Sequence, residues 1–499
     1  MTSKRSSTSS VSRRGYFKNV AIGLASSAAL VGSVSAWRLE DQYGTVIDVV
    51  EEGADNEGNE SITPVLRSLA DDDTLLKFPE GAYYMDSQFR FTNFRNFGMV
   101  GYDATLVPAN YHDFDGPRYR LFRMGTYANP GRDLRVEGFR VDQTADDTGI
   151  RVLNAEVTDG LIVQDVYIHG LHDSGTWGPG LFNITDPNGS GVVRRFRAFD
   201  GGLHADDTPN AGNMGSGPTG ILTNSNHRGT IRYEGCVLGG FPGTGLYVGC
   251  PDGDVVVDRG WYQNSDTASI RLGVSRGRIE NAVVAISRNP DRDTSQIPIR
   301  LDYGNWITVD GVDVRMARAN GNAIRIRNGV DGAYIRNSSI AIGGSNPATA
   351  IRIYPDTGPT YVRDVNIDMG VSGYALRIDG DDAGEVGVQD VTITGDGGGS
   401  PVQHAIYCER NGCRFRGLDV DQPGDSRRRA LLLTGHDYIV YNCDFRSTNY
   451  PVRVEGDDVW IEDCYASAYD DSASIRLSGS AGHVVLKNNT FPDGVSDGR

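Results

Sequence analysis

Short strands of the form apolar-x-apolar recur along this chain at a spacing that few architectures use. From Leu246 onward, the first residues of successive copies are 24, 29, 25, 27, 25, 30, 25, 21 and 23 residues apart. A repeat of this length holds only a few short strands, which bury their apolar side by stacking on the next repeat. The copies lie at residues 150–152, 246–248, 270–272, 299–301, 324–326, 351–353, 376–378, 406–408, 431–433, 452–454 and 475–477.

A second pattern, strand then corner then strand, follows these anchor strands at residues 307–312, 334–340, 361–367, 388–393 and 485–491. The corner residue is Asn, Asp or Gly, which tolerate a left-handed backbone. A β-propeller blade needs four strands in about 40 residues and a leucine-rich repeat needs its consensus, so neither fits. The pattern predicts an all-β fold, a single-stranded right-handed parallel β-helix, with room for roughly 13 or 14 coils between residues 130 and 490.

The region before the repeats has its own motifs. A Gly-Ala-Asp turn lies at residues 53–55 and a Phe-Pro-Glu-Gly-Ala-Tyr segment at 78–83. Together they resemble the N-terminal part of the pectate-lyase-like β-helix superfamily. The resemblance covers most of the chain and implies a short capping helix around residues 62–70. It is specific for the fold and poor for function, because that superfamily holds lyases, glycosidases, epimerases, tailspikes and non-enzymes.

These patterns divide the chain into four segments. We expect a signal peptide at residues 1–36, an N-terminal cap and first coils at 37–125, the β-helix proper at 126–491 and a C-terminal tail at 492–499.

The N-terminal segment has the features of an export signal. A basic region ends at Arg13-Arg14, an apolar stretch spans 20–34, and small residues end at Ala36. The paired arginines before Gly-Tyr-Phe-Lys resemble the twin-arginine motif. We expect secretion, with the cell surface as a second location. An uncleaved anchor is the alternative, although the stretch is short for a bilayer span of about 20 residues. No later stretch is apolar enough to predict a membrane span in the mature form.

The charge balance excludes some partners. The net charge is −17, only 4 of 48 basic residues are lysines, and 51 of 65 acidic residues are aspartates. This surface resembles that of extreme halophiles, and it argues against a nucleic-acid partner.

Six cysteines are too few for a disulfide scaffold. No cofactor is certain; Ca²⁺ is a candidate at acidic pairs in turns, for which solvated turns are the favoured interpretation. These pairs are 252/254, 381/382, 457/458 and 470/471.

The middle residue of each anchor strand points outward if its two neighbours point inward. In seven of the nine copies from residue 270 to residue 477 it is arginine, and Tyr407 and Leu432 are the exceptions. The pattern predicts a column of guanidinium groups, with Asp302 and Asp379 as local partners. The guanidinium group of arginine matches the geometry of a carboxylate or sulfate, so the column is a candidate track for an anionic polymer. The alternative is that the arginine stems only pack on the sheet. The candidate substrate-binding residues are Arg271, Arg300, Arg325, Arg352 and Arg377.

A second candidate site lies where the spacing breaks. Forty residues separate the anchors at 181 and 221, which leaves an inserted loop of about 15 residues, and function is often added on such loops. Histidines and carboxylates supply acid/base pairs or metal ligands, although spacing on a loop fixes no geometry, so no metal is assigned. The alternative is a polar loop that caps a groove. Trp177 is a candidate for stacking on a sugar, and the candidate catalytic residues are His169, His172, Asp173, Asp186, His204, Asp206 and Asp207.

Two enzyme families with this fold match the motifs poorly. Polygalacturonase-like glycosidases share an Asp-Asp and a Gly-His-Gly on neighbouring coils. Here Asp206-Asp207 and the nearest histidine motif, Gly435-His436-Asp437, lie about nine coils and roughly 40 Å apart. Pectate lyases use calcium-binding aspartates and an Arg or Lys base, and no motif identifies that base here.

Two functional hypotheses remain. The first is a secreted carbohydrate-active protein that binds an acidic polysaccharide or cell-surface glycan and, as a lyase or hydrolase, cleaves it. The second is a non-catalytic surface or adhesion rod that binds glycan or another cell-envelope component. The sequence leaves open whether the chain is an enzyme and what its oligomeric state is.

Overall fold

The chain winds through three parallel stacks of short strands, one strand of each stack per coil. The computed structural model describes residues 39–499 except 117–118, 211–216, 290–291, 293–294, 381–383, 398–402 and 425–426. The expected signal peptide and the acidic pair at 381/382 therefore lie outside the described residues. The chain forms a right-handed parallel β-helix of about 16 turns, which confirms the predicted fold class.

Face A contains the anchor strands. From the first coil to the last they are Phe89–Phe91, Arg120–Met124, Arg151–Val157, Gly180–Ile184, Ile221–Thr223, the first parts of Thr244–Asp258 and Ala268–Glu280, Ile299–Tyr303, Asn322–Ile326, Ala348–Ile353, Gly373–Ile378, Gln403–Cys408, Arg428–Leu433, Val452–Val454, Ile475–Leu477 and Val495–Asp497.

Face B follows face A in each coil. Its strands are Thr45–Asp48, Thr74–Phe78, the first parts of Arg95–Pro108, Arg132–Asp142, Leu161–His169 and Ser190–Ala198, Thr230–Glu234, the second parts of Thr244–Asp258 and Ala268–Glu280, Trp306–Asp310, the first parts of Ala333–Ile342, Thr360–Met369 and Val386–Thr394, Arg414–Arg416, His436–Tyr441, Asp457–Glu462 and Val484–Lys487.

Face C completes the coil. Its strands are Gly81–Met85, the second parts of Arg95–Pro108, Arg132–Asp142, Leu161–His169 and Ser190–Ala198, Val237–Leu238, Trp261–Gln263, Val283–Ile286, Asp313–Met316, the second parts of Ala333–Ile342, Thr360–Met369 and Val386–Thr394, Asp419–Gln422, Asp444–Ser447 and Tyr465–Ala468.

The core is the space that the three faces enclose. The two apolar residues of each anchor strand point into it, and Ile324, Ile326 and Ile351 are fully buried. In-register pairing places Ile351 directly on Ile324, so side chains of one type stack along the core. The six cysteines are free and buried.

The N-terminal end is covered by an α-helix, Thr63–Leu69, with a proline in its first turn. Leu66 on this helix is fully buried in the core, and Nη2 of Arg67 donates a hydrogen bond of 2.8 Å to the carbonyl of Gln88. The helix therefore closes the first coil, which confirms the predicted capping helix. A 3₁₀ helix, Ala205–Asp207, lies in the inserted loop. No helix within the described residues is long and apolar enough to cross a membrane.

The corner between face B and face C is one residue in the left-handed conformation. Its φ is 50° at Asn337, 52° at Asp364, 51° at Asp390 and 53° at Asn442. Asn and Asp tolerate this region better than other residues that carry a Cβ. The corner motifs seen in the sequence therefore mark where each coil turns.

Replacing the corner residue Asn442 with valine will lower the free energy of unfolding by about 1–2 kcal/mol, because a β-branched residue is strained at positive φ. Asn442→Gly is the matched control, since glycine adopts this conformation without strain. The measurement is a urea unfolding curve for each variant. Equal stability of the two variants would show that the corner is not strained.

Candidate functional site

The arginines of the anchor strands lie directly above one another on face A. Arg271 pairs with Arg300, which pairs with Arg325, and the register continues through Arg352 to Arg377. These five residues are called the arginine column below. The predicted column is confirmed by the register.

Two carboxylates bridge the ends of the arginine column. Asp302 accepts a hydrogen bond from Nε of Arg271 at 2.7 Å and another from Nε of Arg300 at 2.6 Å. Asp379 does the same for Arg352 at 2.8 Å and Arg377 at 2.6 Å. Both carboxylates are buried, so each one offsets the repulsion between arginines on adjacent rungs. The predicted partners Asp302 and Asp379 are confirmed.

Arg325 lies between these two bridged pairs. Its Nε is shielded from solvent and has no hydrogen-bond partner among the described residues. Burial lowers its pKa, and the neighbouring Arg300 and Arg352 lower it further. A guanidinium between two other cations, with no carboxylate partner among the described residues, favours the approach of an anion.

Tyrosine rings support the column from the side. The guanidinium of Arg271 lies 4.3 Å from the ring centre of Tyr247, and that of Arg352 lies 4.4 Å from the ring centre of Tyr354. The ring of Tyr354 also lies 5.9 Å from the guanidinium of Arg325. Such contacts hold arginine forks in place without using their hydrogen-bond donors. The result is a flat surface of rings and forks.

The inserted-loop candidates have a different arrangement. His172 is buried, and its Nε2 lies 3.1 Å from the carbonyl oxygen of Thr176. Burial lowers its pKa to about 3, so the ring is neutral and a weak base at ordinary pH. His172 therefore packs inside the turn, and its catalytic role stays a prediction.

Asp173 is also held by the backbone. Its two carboxylate oxygens accept hydrogen bonds from the amides of Asp147 and Gly149, both at 2.9 Å. Burial raises the pKa of Asp173. Asp173 therefore ties the turn of the preceding coil to its own turn, and its catalytic role stays a prediction.

The other candidate catalytic residues make mainly local contacts. His169 is exposed at the end of its strand, and Asp186 caps an exposed turn through the amide of Asn188 at 2.8 Å. His204 lies 3.4 Å from Asp206, and this is the only ion pair among the seven candidates in the part of the chain described. Asp207 pairs with Arg292 at 3.2 Å instead. The isolated bridge between His172 and Gly202 brings the two segments that carry these candidates next to each other, and their catalytic role stays a prediction.

No group of three or more His, Cys, Asp or Glu side chains suited to a metal ion occurs within the described ranges. Trp177, the candidate sugar-stacking residue, is exposed, and its ring centre lies 6.0 Å from the guanidinium of the buried Arg151. Arg151 itself donates to the carbonyl of Gly178 at 2.8 Å. The ring is therefore available to a ligand at the edge of face A.

Sequence reasoning missed a polar cluster on face A. Glu156 is only 6% exposed and accepts hydrogen bonds from Asn183 at 3.3 Å and from Asn226 at 2.9 Å. Arg123 lies 3.5 Å away, and Asn183 also donates to Asn224 at 2.9 Å. We call these five residues the Glu156 cluster. Its signal was the recurrence of asparagine at one position in successive coils, in a region where the anchor pattern is irregular.

The Glu156 cluster and the arginine column share one face. Asn154, two residues before Glu156, is joined to Arg271 through the pairings of Leu181, Leu222 and Tyr247. That is four strand spacings, or about 19 Å. One extended polymer can therefore contact both.

No family model and no curated protein matches the chain. Among solved structures, it is similar to the catalytic unit of an α-1,3-glucanase from Streptomyces thermodiastaticus, with 12% identity, coverage of 91% of this chain and 70% of that chain, and a TM-score of 0.28. It is also similar to a surface adhesin of Streptococcus pneumoniae, with 11% identity, 91% of each chain covered and a TM-score of 0.32.

A third similar structure is an endo-xylogalacturonan hydrolase from Aspergillus tubingensis, with 13% identity, coverage of 91% and 98%, and a TM-score of 0.23. Similarity at this level extends only to the way in which the chain winds into coils. It does not identify an activity, so function must be argued from the site itself.

Replacing Asp379 with asparagine will lower the free energy of unfolding by about 2–3 kcal/mol, because it weakens hydrogen bonds to two charged groups. Arg325→Gln will leave stability unchanged or raise it, since this change removes a partly buried cation that has no carboxylate partner among the described residues. Asp368→Asn, an exposed residue of face C, is the control. Urea unfolding measures all three, and a larger loss from Arg325→Gln than from Asp379→Asn would contradict this assignment of partners.

Proposed function

We propose that the protein binds an acidic polysaccharide along face A, with the arginine column as the principal contact. The observation that carries this proposal is the position of Arg325. The guanidinium of Arg325 has no carboxylate partner among the described residues and lies between two arginines whose Nε groups are already used. A carboxylate or sulfate on a sugar supplies the anion that this position lacks.

The charge count on face A supports an anionic ligand. The column and Arg327 are six arginines, and five of them share the two carboxylates Asp302 and Asp379 in the described ion pairs. The chain as a whole has a net charge of −17. A local excess of positive charge on an acidic protein selects for an anion at that place.

The spacing of the column supports a polymer. Successive arginines lie one strand spacing apart, about 4.8 Å, which is comparable to the length of one pyranose unit in an extended chain. A polymer with an acidic group on each sugar therefore presents anions at the repeat of the column. The exposed ring of Trp177 lies at the edge of the same face.

We also infer that the protein acts outside the cell, because residues 13–18 resemble a twin-arginine motif. The lysine-poor, aspartate-rich composition suits strong salt. At 1 M salt the screening length falls to about 3 Å, so binding depends on direct contact rather than long-range attraction. Half-buried forks held by Asp302 and Asp379 provide such contacts.

Cleavage of the bound chain is a second candidate function. The observation that favours it is the Glu156 cluster, which holds a shielded carboxylate on the face that binds the polymer. Such a carboxylate is a candidate acid or base. If the protein does not cleave the polymer, face A acts only as the binding surface of a non-catalytic adhesion rod.

Arg325→Gln will raise the Kd for polygalacturonate or alginate about tenfold or more. One charge-assisted contact contributes about 1.5–3 kcal/mol, and 1.4 kcal/mol corresponds to a factor of ten. Arg315→Gln, which removes the same charge from face C, is the matched control and will change Kd less than twofold. Calorimetric titration in high salt measures both, and equal affinities of the two variants would refute the role of the column.

The same polymers distinguish cleavage from binding. Unsaturated ends seen by ultraviolet absorbance indicate a lyase, and new reducing ends without them indicate a hydrolase. Glu156→Gln will abolish either product while leaving Kd within about threefold, because it removes the charge of one carboxylate and keeps its shape. Binding without new ends in the unmodified protein would assign the non-catalytic function instead.

A further inference from the structure

Face B has a pocket that none of the sequence motifs indicated. Its volume is about 340 Å³, and it spans three successive coils. The side chains that line it are Arg276, Arg278, Trp306, Thr308, Tyr334 and Arg336.

Strand alternation produces the pocket. Arg276 pairs with Trp306 in the next coil, while Arg278 pairs with Thr308, which pairs with Tyr334. These positions point outward, because the alternate residue Ile307 is fully buried in the core. The lining is therefore fixed by the same register that aligns the arginine column on face A.

Trp306 provides an apolar surface for a ligand. Its side chain is 40% exposed, which is unusual for so large an apolar residue. It leans over Gly332 of the next coil, where an added Cβ would lie 2.4 Å from Cε3 of the indole. Glycine at that position thus lets the ring lie against the sheet, with its other side facing the pocket.

The arginines of this pocket are all paired. Nε of Arg276 donates to Asp254 at 3.0 Å, and Nε of Arg336 donates to Asp310 at 2.8 Å. Arg278 forms an ion pair with Glu280. Three cations are paired with three carboxylates, whereas the arginine column and Arg327 together have six arginines to two carboxylates. Each cation of the lining is balanced by a carboxylate, and the hydroxyl groups of Thr308 and Tyr334 provide both donors and acceptors.

We propose that this pocket binds a neutral pyranose unit of a glycan. The negative face of the Trp306 ring attracts the C–H groups of a sugar, and the guanidinium groups together with the hydroxyl groups of Thr308 and Tyr334 exchange hydrogen bonds with the sugar hydroxyl groups. An anionic sugar gains less here, since each fork already holds a carboxylate. This site goes beyond the proposed function of face A and does not depend on it.

The test uses neutral hexasaccharides, namely maltohexaose, cellohexaose, xylohexaose and mannohexaose, with hexagalacturonate for comparison. Calorimetry and tryptophan fluorescence will show millimolar or tighter binding of at least one neutral probe. Trp306→Ala will raise its Kd at least tenfold, and Trp306→Phe will keep most of the affinity because it retains a ring. Trp460→Ala is the matched control, since Trp460 has the same 40% exposure on face B but its ring lies under Lys487. The Trp460→Ala variant will bind the neutral probe as tightly as the unmodified protein does.

The experiments distinguish failure of the pocket proposal on face B from failure of the proposed function of face A. Arg325→Gln will not change binding of the neutral probe, and Trp306→Ala will not change binding of hexagalacturonate. The pocket proposal is overturned if no neutral probe binds, if Trp306→Ala binds like the unmodified protein, or if Trp460→Ala weakens binding equally. Tighter binding of hexagalacturonate that depends on Trp306 would overturn the assignment to a neutral sugar. Melting temperatures of the variants will verify that each one is folded.

Discussion

The in-register pairing of each coil with the next is the constraint on which the rest of this structure depends. It places Ile351 on Ile324 inside the core, and it also places Arg352 on Arg325 on the outer surface. A slip by one residue would expose the apolar side chains and bury the charged ones. Burial of the stacked apolar side chains therefore holds the arginines of the column close together, although their mutual repulsion alone would separate them.

This arrangement has an electrostatic cost that the chain offsets only in part. Asp302 and Asp379 each accept from two arginines, so four members of the arginine column have a carboxylate partner. Arg325 has none among the described residues. Stability alone does not explain a charge kept at this position, because glutamine would fit there with less desolvation. The unmatched charge is what makes face A a binding surface in our proposal.

The repeats allowed the fold, the arginine column and both carboxylate partners to be predicted, because strand alternation converts sequence spacing directly into position. The same reasoning did not reveal the burial of His172, since the spacing of residues in a loop does not show which of them are buried. It also missed Glu156 and Trp306. Glu156 lies in coils with irregular anchors, and Trp306 depends on Gly332 in the next coil, a contact that spacing alone does not reveal.

The two faces differ in one physical property, the ratio of cations to carboxylates. On face A the ratio leaves positive charge unmatched, and on face B each arginine of the pocket has its own acid. One β-helix of this kind can bind an anionic ligand on one face and a neutral ligand on another. Because both faces are fixed to one rigid core, a polymer on face A and a sugar on face B would be held side by side. Such a protein would join two different glycans, which is a role that either face alone does not provide.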